Sequence, residues 1–216
     1  MTIEEMITKC RVCAILRNLP MDIFPEYVSA IYRGGVRMFE VTMNSENAEI
    51  QIAYLKTNLG DDVYVGAGTV TTRERAVKAL GAGAQFFLAP SSDKGILDYC
   101  SKRKIPFLPG VMTPTDISLC LSYGYNVMKL FPFRSLSKNY IKDLKGPFAE
   151  AEFVAVGGIG ADNIDLVFNQ GYIGAGIGSN LIPSDYIKQK DWGRSEKVVY
   201  DLMYNIKSIL QVESGV

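Results

Sequence analysis

The chain has 216 residues, 48% of them apolar and 21% charged, with 23 basic residues against 23 acidic ones and no histidine. A balanced charge leaves no electrostatic footprint for nucleic acid or for an anionic lipid surface. The missing histidine excludes Ser-His-Asp and Cys-His catalysis and removes the commonest ligand of zinc and iron.

The first ten residues, MTIEEMITKC, carry acids and no apolar run of signal-peptide length. No later stretch approaches the roughly 18 consecutive apolar residues of a membrane span, so a cytoplasmic protein with no membrane partner is expected. Cys10 and Cys13 form a CxxC pair, but Cys100 and Cys120 stand far off without a second one. Four reduced thiols packed as small apolar groups are the expectation, with no metal site.

From residue 12 onward a short apolar run, a turn and an amphipathic stretch recur. The runs are VCAIL (12–16), MFEVT (38–42), VYVGA (63–67), FFLA (86–89), PFLPG (106–110), VMKLF (127–131), FVAVG (153–157) and YIGAG (172–176). Helix-like spacing fills 24–33, 46–58, 72–80 and 115–122 between them. Asp22, Ser45, Thr71, Ser92 and Asp162 are candidate N-caps. Gly34, Gly81, Gly124 and Gly171 are candidate helix ends. The tail, 192–211, repeats apolar residues at helical spacing through Val198, Leu202, Ile206, Ile209 and Leu210.

Eight buried strands alternating with helices imply a parallel sheet with right-handed crossovers. An open doubly wound sheet has a glycine-rich first turn, whereas the first turn here is LRNLPMD. The expected fold is therefore α/β, a single (β/α)₈ TIM barrel over residues 1–216 with a final helix from about residue 192.

Side chains alternate faces along a strand. Met38, Glu40 and Thr42 share one face of the second strand, and Val127, Lys129 and Phe131 share one face of the sixth. The opposite faces are wholly apolar and suit the helices, so Glu40 and Lys129 are expected to point into the barrel. A buried charge needs a partner or a shifted pKa. A structural ion pair across the barrel, or a strand placed differently with Lys129 exposed, is one outcome. The other is a desolvated lysine that supplies neutral amine, which attacks a ketone to form a Schiff base while the carboxylate moves protons. That is the minimum apparatus of a class I aldolase. VGGIGADN (156–163) and GAGIGSN (174–180) follow the last two strands, where barrel loops bind anions through backbone N–H groups. Thr69 and Arg17, at strand ends, are candidates to hold a substrate carboxylate.

GGVRMFEVTMNS, VGAGTVTT, GAQFFLAP, IPFLPGVMTPTDI, NVMKLFPF and FVAVGGIGADN occur in order over most of the chain. Together they resemble the KDPG/KHG aldolases, which cleave 2-keto-3-deoxy-6-phosphogluconate or 4-hydroxy-2-oxoglutarate to pyruvate plus an aldehyde. The resemblance implies a cofactor-free and metal-free lyase working through a covalent imine, a small 2-keto acid as its partner, and a homotrimer. Lys129 of MKLFP matches the Schiff-base lysine and Glu40 of FEVT the acid/base. Thr69, Pro90 and Phe131 match the pyruvate pocket, and Arg17 of ILRN an arginine found there in many members.

Three departures touch the substrate grips. Asn44 stands where the family has an arginine for the pyruvyl carboxylate, Val156 replaces a hydroxyl donor before Gly157 and Gly158, and Ile177 precedes Gly178 and Ser179 in place of a glycine. The expectation is retained Schiff-base chemistry with a changed distal group, for which phosphorylated and non-phosphorylated substrates both stay open. A phosphate-binding barrel isomerase or synthase, and a non-catalytic sugar-acid binder, are the competing readings. Arg134, just after Phe133, has no assigned role.

Overall fold

In the computed structural model, residues 1–213 are described. The elements in chain order begin with α1 (Ile3–Cys10), β1 (Val12–Leu16), α2 (Phe24–Arg33), β2 (Met38–Thr42), α3 (Ala48–Asn58) and β3 (Tyr64–Gly68). They continue with α4 (Arg73–Gly81), β4 (Phe86–Leu88), α5 (Lys94–Arg103), β5 (Phe107–Leu108), β6 (Gly110–Val111), α6 (Pro114–Ser122) and β7 (Val127–Leu130). A 3₁₀ turn (Phe133–Ser135), α7 (Tyr140–Lys145), β8 (Glu152–Val156), α8 (Ile164–Asn169), β9 (Gly174–Ile177), α9 (Ser184–Lys188) and α10 (Trp192–Glu213) complete it.

All strand pairs are parallel, in the order β5-β4-β3-β2-β1-β9-β8-β7-β6. Every predicted strand position is occupied. The fifth is broken in two because Pro109, between β5 and β6, has no N–H to give to a ladder. β5 pairs with β4 and β6 pairs with β7, while the Pro109 carbonyl accepts from Lys129 N at 2.8 Å. The two ends of the sheet are thus one stretch of chain, and the sheet curls into a nearly closed barrel.

Two apolar clusters hold the layers together. Residues facing the helices, such as Phe39, Val41, Met128 and Leu130, join the inner faces of α2 to α10. Inside the barrel Cys13, Met38, Phe86, Leu88, Leu108, Val127, Val154 and Val156 pack against Met6, Ile7 and Cys10 of α1. Each large side chain so buried stabilises the fold by about 1.5–3 kcal/mol. α1 is a plug for the N-terminal end of the barrel that no apolar run announces. Its signal is the reciprocal cap, Glu5 N to Thr2 Oγ1 at 3.2 Å and Thr2 N to Glu5 Oε2 at 2.7 Å.

The expected caps are misplaced. Thr72 and Asp93, one residue beyond Thr71 and Ser92, accept from Arg75 N and Ile96 N. The caps expected at Asp22, Ser45 and Asp162 fall instead at Ile23, Asn47 and Asn163, none with a side-chain cap bond. Gly124 and Gly171 take the left-handed conformation expected of them, but Gly34 and Gly81 pass it to Gly35 and Gly83. On α10 the buried face is Val199, Leu202 and Ile206, with Val198 half-buried beside it. Burial pushes the thiols of Cys10, Cys100 and Cys120 up to about 11, 12 and 12, as suits packed, unreactive groups.

Candidate active site

At the C-terminal ends of the strands a cleft of about 560 Å³ opens, lined by Arg17, Thr69, Pro90, Lys129, Phe131, Gly157 and their neighbours. A larger groove of about 730 Å³ runs from the β2–α3 turn to the start of α4, but neither Lys129 nor Glu40 lines it. The cleft is the one with the inward-facing Lys129 amine at its base.

Lys129 sits in the middle of β7, 5% exposed, with Nζ 4.9 Å from the centroid of the Phe131 ring. Burial lowers its pKa, and the cation at Arg17 lowers it further, against the opposing pull of Glu40. Glu40, in β2, is 1% exposed. Burial raises its pKa, while Lys129 and Arg17 act to lower it. Among the described residues the two form no ion pair, and Glu40 Oε2 has no hydrogen-bond partner in the chain. A satisfied structural pair would bring the two within 4.0 Å of each other. Both groups are instead held toward their neutral forms, which suits a nucleophilic amine beside an acid/base.

The carboxylate owes its position to Gly68 at the end of β3. A Cβ there would fall 1.3 Å from Glu40 Oε1 and 2.2 Å from its Cδ. One residue on, Thr69 has φ 55, a strained conformation for a β-branched residue. Arg75 pins it, giving Nη1 to the Thr69 carbonyl at 3.2 Å and to Thr71 Oγ1 at 2.8 Å. Arg17 Nη2 reaches Thr69 Oγ1 at 3.5 Å. Asn18, with φ 51, gives its N–H to Ser45 Oγ at 2.9 Å, and Ser45 bonds Thr42 at 2.9 Å. Gln51 Nε2 holds the Leu19 carbonyl at 2.7 Å. These ties fix the backbone beneath Arg17.

Opposite, after β8, Gly157 and Gly158 have φ 101 and 81. Asn163 folds their turn, taking Gly160 N at 3.0 Å and giving Nδ2 to the Gly158 carbonyl at 2.9 Å. Gly178 and Ser179 line the same wall.

The cleft therefore gathers Lys129, Arg17, Thr69, Pro90, Phe131, Gly157, Gly158, Gly178 and Ser179, with Glu40 buried beside it. Asn44 is not among them. It lies exposed in the turn after β2, outside the lining, so its amide does not stand in for an arginine there. Val156 does line the cleft, as an apolar wall. Ile177 is wholly buried on the helix-facing side, so its side chain takes nothing from the grip. Arg75, Ser45, Gln51 and Asn18 were not legible as site residues. The one local signal was Asn18, since asparagine tolerates the left-handed region. Among the described residues no group of three or more His, Cys, Asp or Glu side chains could hold a metal ion, and no helix is long and apolar enough to cross a membrane.

Residues 3–198 match the family model "KDPG and KHG aldolase". The 2-dehydro-3-deoxy-phosphogluconate aldolase of Haemophilus influenzae is 31% identical over 95% of this chain and 99% of its own. The KHG/KDPG aldolase of Escherichia coli K12 is 30% identical over 94% of this chain and 96% of its own. A KDPG aldolase from Legionella pneumophila, solved with pyruvate as a covalent carbinolamine intermediate, superimposes with a TM-score of 0.85 at 24% identity over 94% of this chain and 98% of its own. The inward lysine and glutamate and a family match spanning most of the barrel lead to one conclusion: the chain belongs to the KDPG and KHG aldolase family and is a carbon–carbon lyase of the class I pyruvate type.

Proposed function

We propose that this enzyme cleaves a 2-keto-3-deoxy sugar acid, with or without a 6-phosphate, or 4-hydroxy-2-oxoglutarate, and that Lys129 and Glu40 carry the reaction. The amine of Lys129 adds to the C2 ketone, and loss of water leaves a protonated imine. Glu40, through a water, takes the proton of the C4 hydroxyl. The C3–C4 bond breaks, its electron pair enters the imine as an enamine, and the aldehyde leaves. Protonation at C3 and hydrolysis release pyruvate and return the amine. Arg17 and Thr69 hold the carboxylate, Pro90 and Phe131 wall the pyruvyl group, and Gly157, Gly158, Gly178 and Ser179 face the distal end. The lysine imine is the electron sink, so no metal or cofactor enters the scheme. A homotrimer in the cytoplasm completes the reading, supported by the family and by four buried free thiols.

The observation that carries this is the pair itself, two buried ionisable groups on facing strands, unpaired and pushed toward neutrality. Borohydride reduction in the presence of pyruvate, followed by peptide mass mapping, tests it. A reduced adduct on Lys129 is the expected result. A folded sample that forms none would return the isomerase and binder readings to the front.

A pH profile tests the role of Glu40. Its pKa is raised, so the acid limb of kcat/KM for cleavage should fall at a higher pH than an ordinary carboxylate gives. Glu40→Gln should remove that limb and lower kcat by about 10²–10⁴-fold, while pyruvate is still trapped on Lys129.

A further inference from the structure

From the nucleophile to the mouth of the cleft the side chains form a continuous row. Lys129 faces the Phe131 ring. That ring lies 3.2 Å from where a Cβ on Gly157 would sit, and Cβ, Cδ and Cγ of Arg134 lie 2.8, 2.9 and 3.2 Å from such a position on Gly158. The paired glycines let the ring and then the arginine stem lie flat along the wall. The base of that stem is fixed as well, because Arg134 N donates to the Gly157 carbonyl at 3.1 Å.

The guanidinium at its end is unengaged. Among the described residues every other arginine has a carboxylate, a hydroxyl, a carbonyl or an aromatic ring as partner. Arg134 has none, although it borders the cleft. The lining contains Arg17, Lys129 and Arg134 and no acidic side chain. Arg17 and Thr69 follow β1 and β3, whereas Arg134 and Gly158 follow β7 and β8, across the barrel in the strand order. Two cations on opposite sides of a buried amine suit a substrate that is anionic at both ends.

We propose that Arg134 is a specificity-determining residue that grips a terminal oxyanion, phosphate or carboxylate, on the aldehyde half of the substrate. This rests on the reading above, in which Lys129 holds the pyruvyl half and Arg17 its carboxylate. The fork of an arginine suits such a group, and a partner-free guanidinium engages it without first breaking an internal contact.

Aldol addition of pyruvate provides the test, with glyceraldehyde 3-phosphate, glyoxylate and uncharged glyceraldehyde as acceptors. For each anionic acceptor kcat/KM is divided by the value for glyceraldehyde, in the native enzyme, Arg134→Gln and Arg134→Lys. The ratio should fall about 10- to 100-fold in Arg134→Gln, the loss of a charge-assisted hydrogen bond, with partial recovery in Arg134→Lys. The acceptor whose ratio falls more identifies the oxyanion. Ratios that hold within about twofold, the range of an ordinary surface change, overturn the assignment, and so does an equal loss on all three acceptors. Trapping of pyruvate on the native enzyme separates the two claims. No adduct means the Schiff-base reading has failed, whereas an adduct with unchanged ratios means that Arg134 alone was misassigned.

Discussion

Lys129→Met is expected to lose about four orders of magnitude or more in kcat, to form no reduced adduct with pyruvate, and to unfold at the same temperature as the native enzyme or higher. The first two effects follow from removing the inward-facing amine at the base of the cleft. The third follows from what that amine costs. Its folded pKa lies below the ordinary lysine value of 10.5, so at low pH the folded protein holds a charge it would rather lose. Between the folded pKa and 10.5 the unfolded chain binds the proton and the folded one does not, so native stability rises with pH across that window. Below it the penalty is present in full, and above 10.5 it is gone. The stability gained by Lys129→Met should therefore be greatest at low pH and shrink toward 10.5, to be read from denaturant unfolding at several pH values. A Lys129 that instead stabilised the fold through an ion pair would give the opposite trend.

Gly68→Ala should lower kcat by about 10²-fold, the effect of misplacing a catalytic group by roughly 1 Å, and destabilise the protein by about 1–3 kcal/mol through overpacking. The new methyl cannot share space with the Glu40 carboxylate, 1.3 Å away, so the carboxylate must swing aside. Pyruvate should still be trapped on Lys129, because the amine is untouched. Gly81→Ala is the control. It closes α4 with nothing within 4 Å of its added carbon and should stabilise by about 0.4–1 kcal/mol.

The barrel could be read from the sequence because short buried runs alternate with helix-like stretches, and the facing of Glu40 and Lys129 because a period of two survives within those runs. The helix caps could not, since Thr71 and Thr72, or Ser92 and Asp93, offer equivalent side chains one residue apart and only the backbone angle selects between them. α1 was missed because its three inward residues, Met6, Ile7 and Cys10, are too few for a periodic signal. The site was legible where chemistry demands a residue type, as with the lysine and the glutamate. It was illegible where geometry decides. Asn44 follows the right strand yet turns to solvent, and Ile177 neighbours the wall glycines yet faces the helices. Arg134 could not be placed without the glycine pair that lets its stem lie down.

The plug formed by α1 has a consequence for traffic. With the floor of the barrel filled by Met6, Ile7 and Cys10, the doorway of the chamber is the cleft at the opposite end, and in the proposed mechanism the imine forms at its inner end. In the cleavage direction the aldehyde stands nearer the doorway and departs first, leaving the enamine sheltered behind it until a proton arrives. In the reverse direction of the proposed scheme pyruvate must be seated before the aldehyde, because the nucleophile that attacks the aldehyde is the enamine formed from pyruvate on Lys129. The order of the two half-reactions in the proposed scheme is set by the covalent bond to Lys129, and the filled floor sends both reactants through the same mouth.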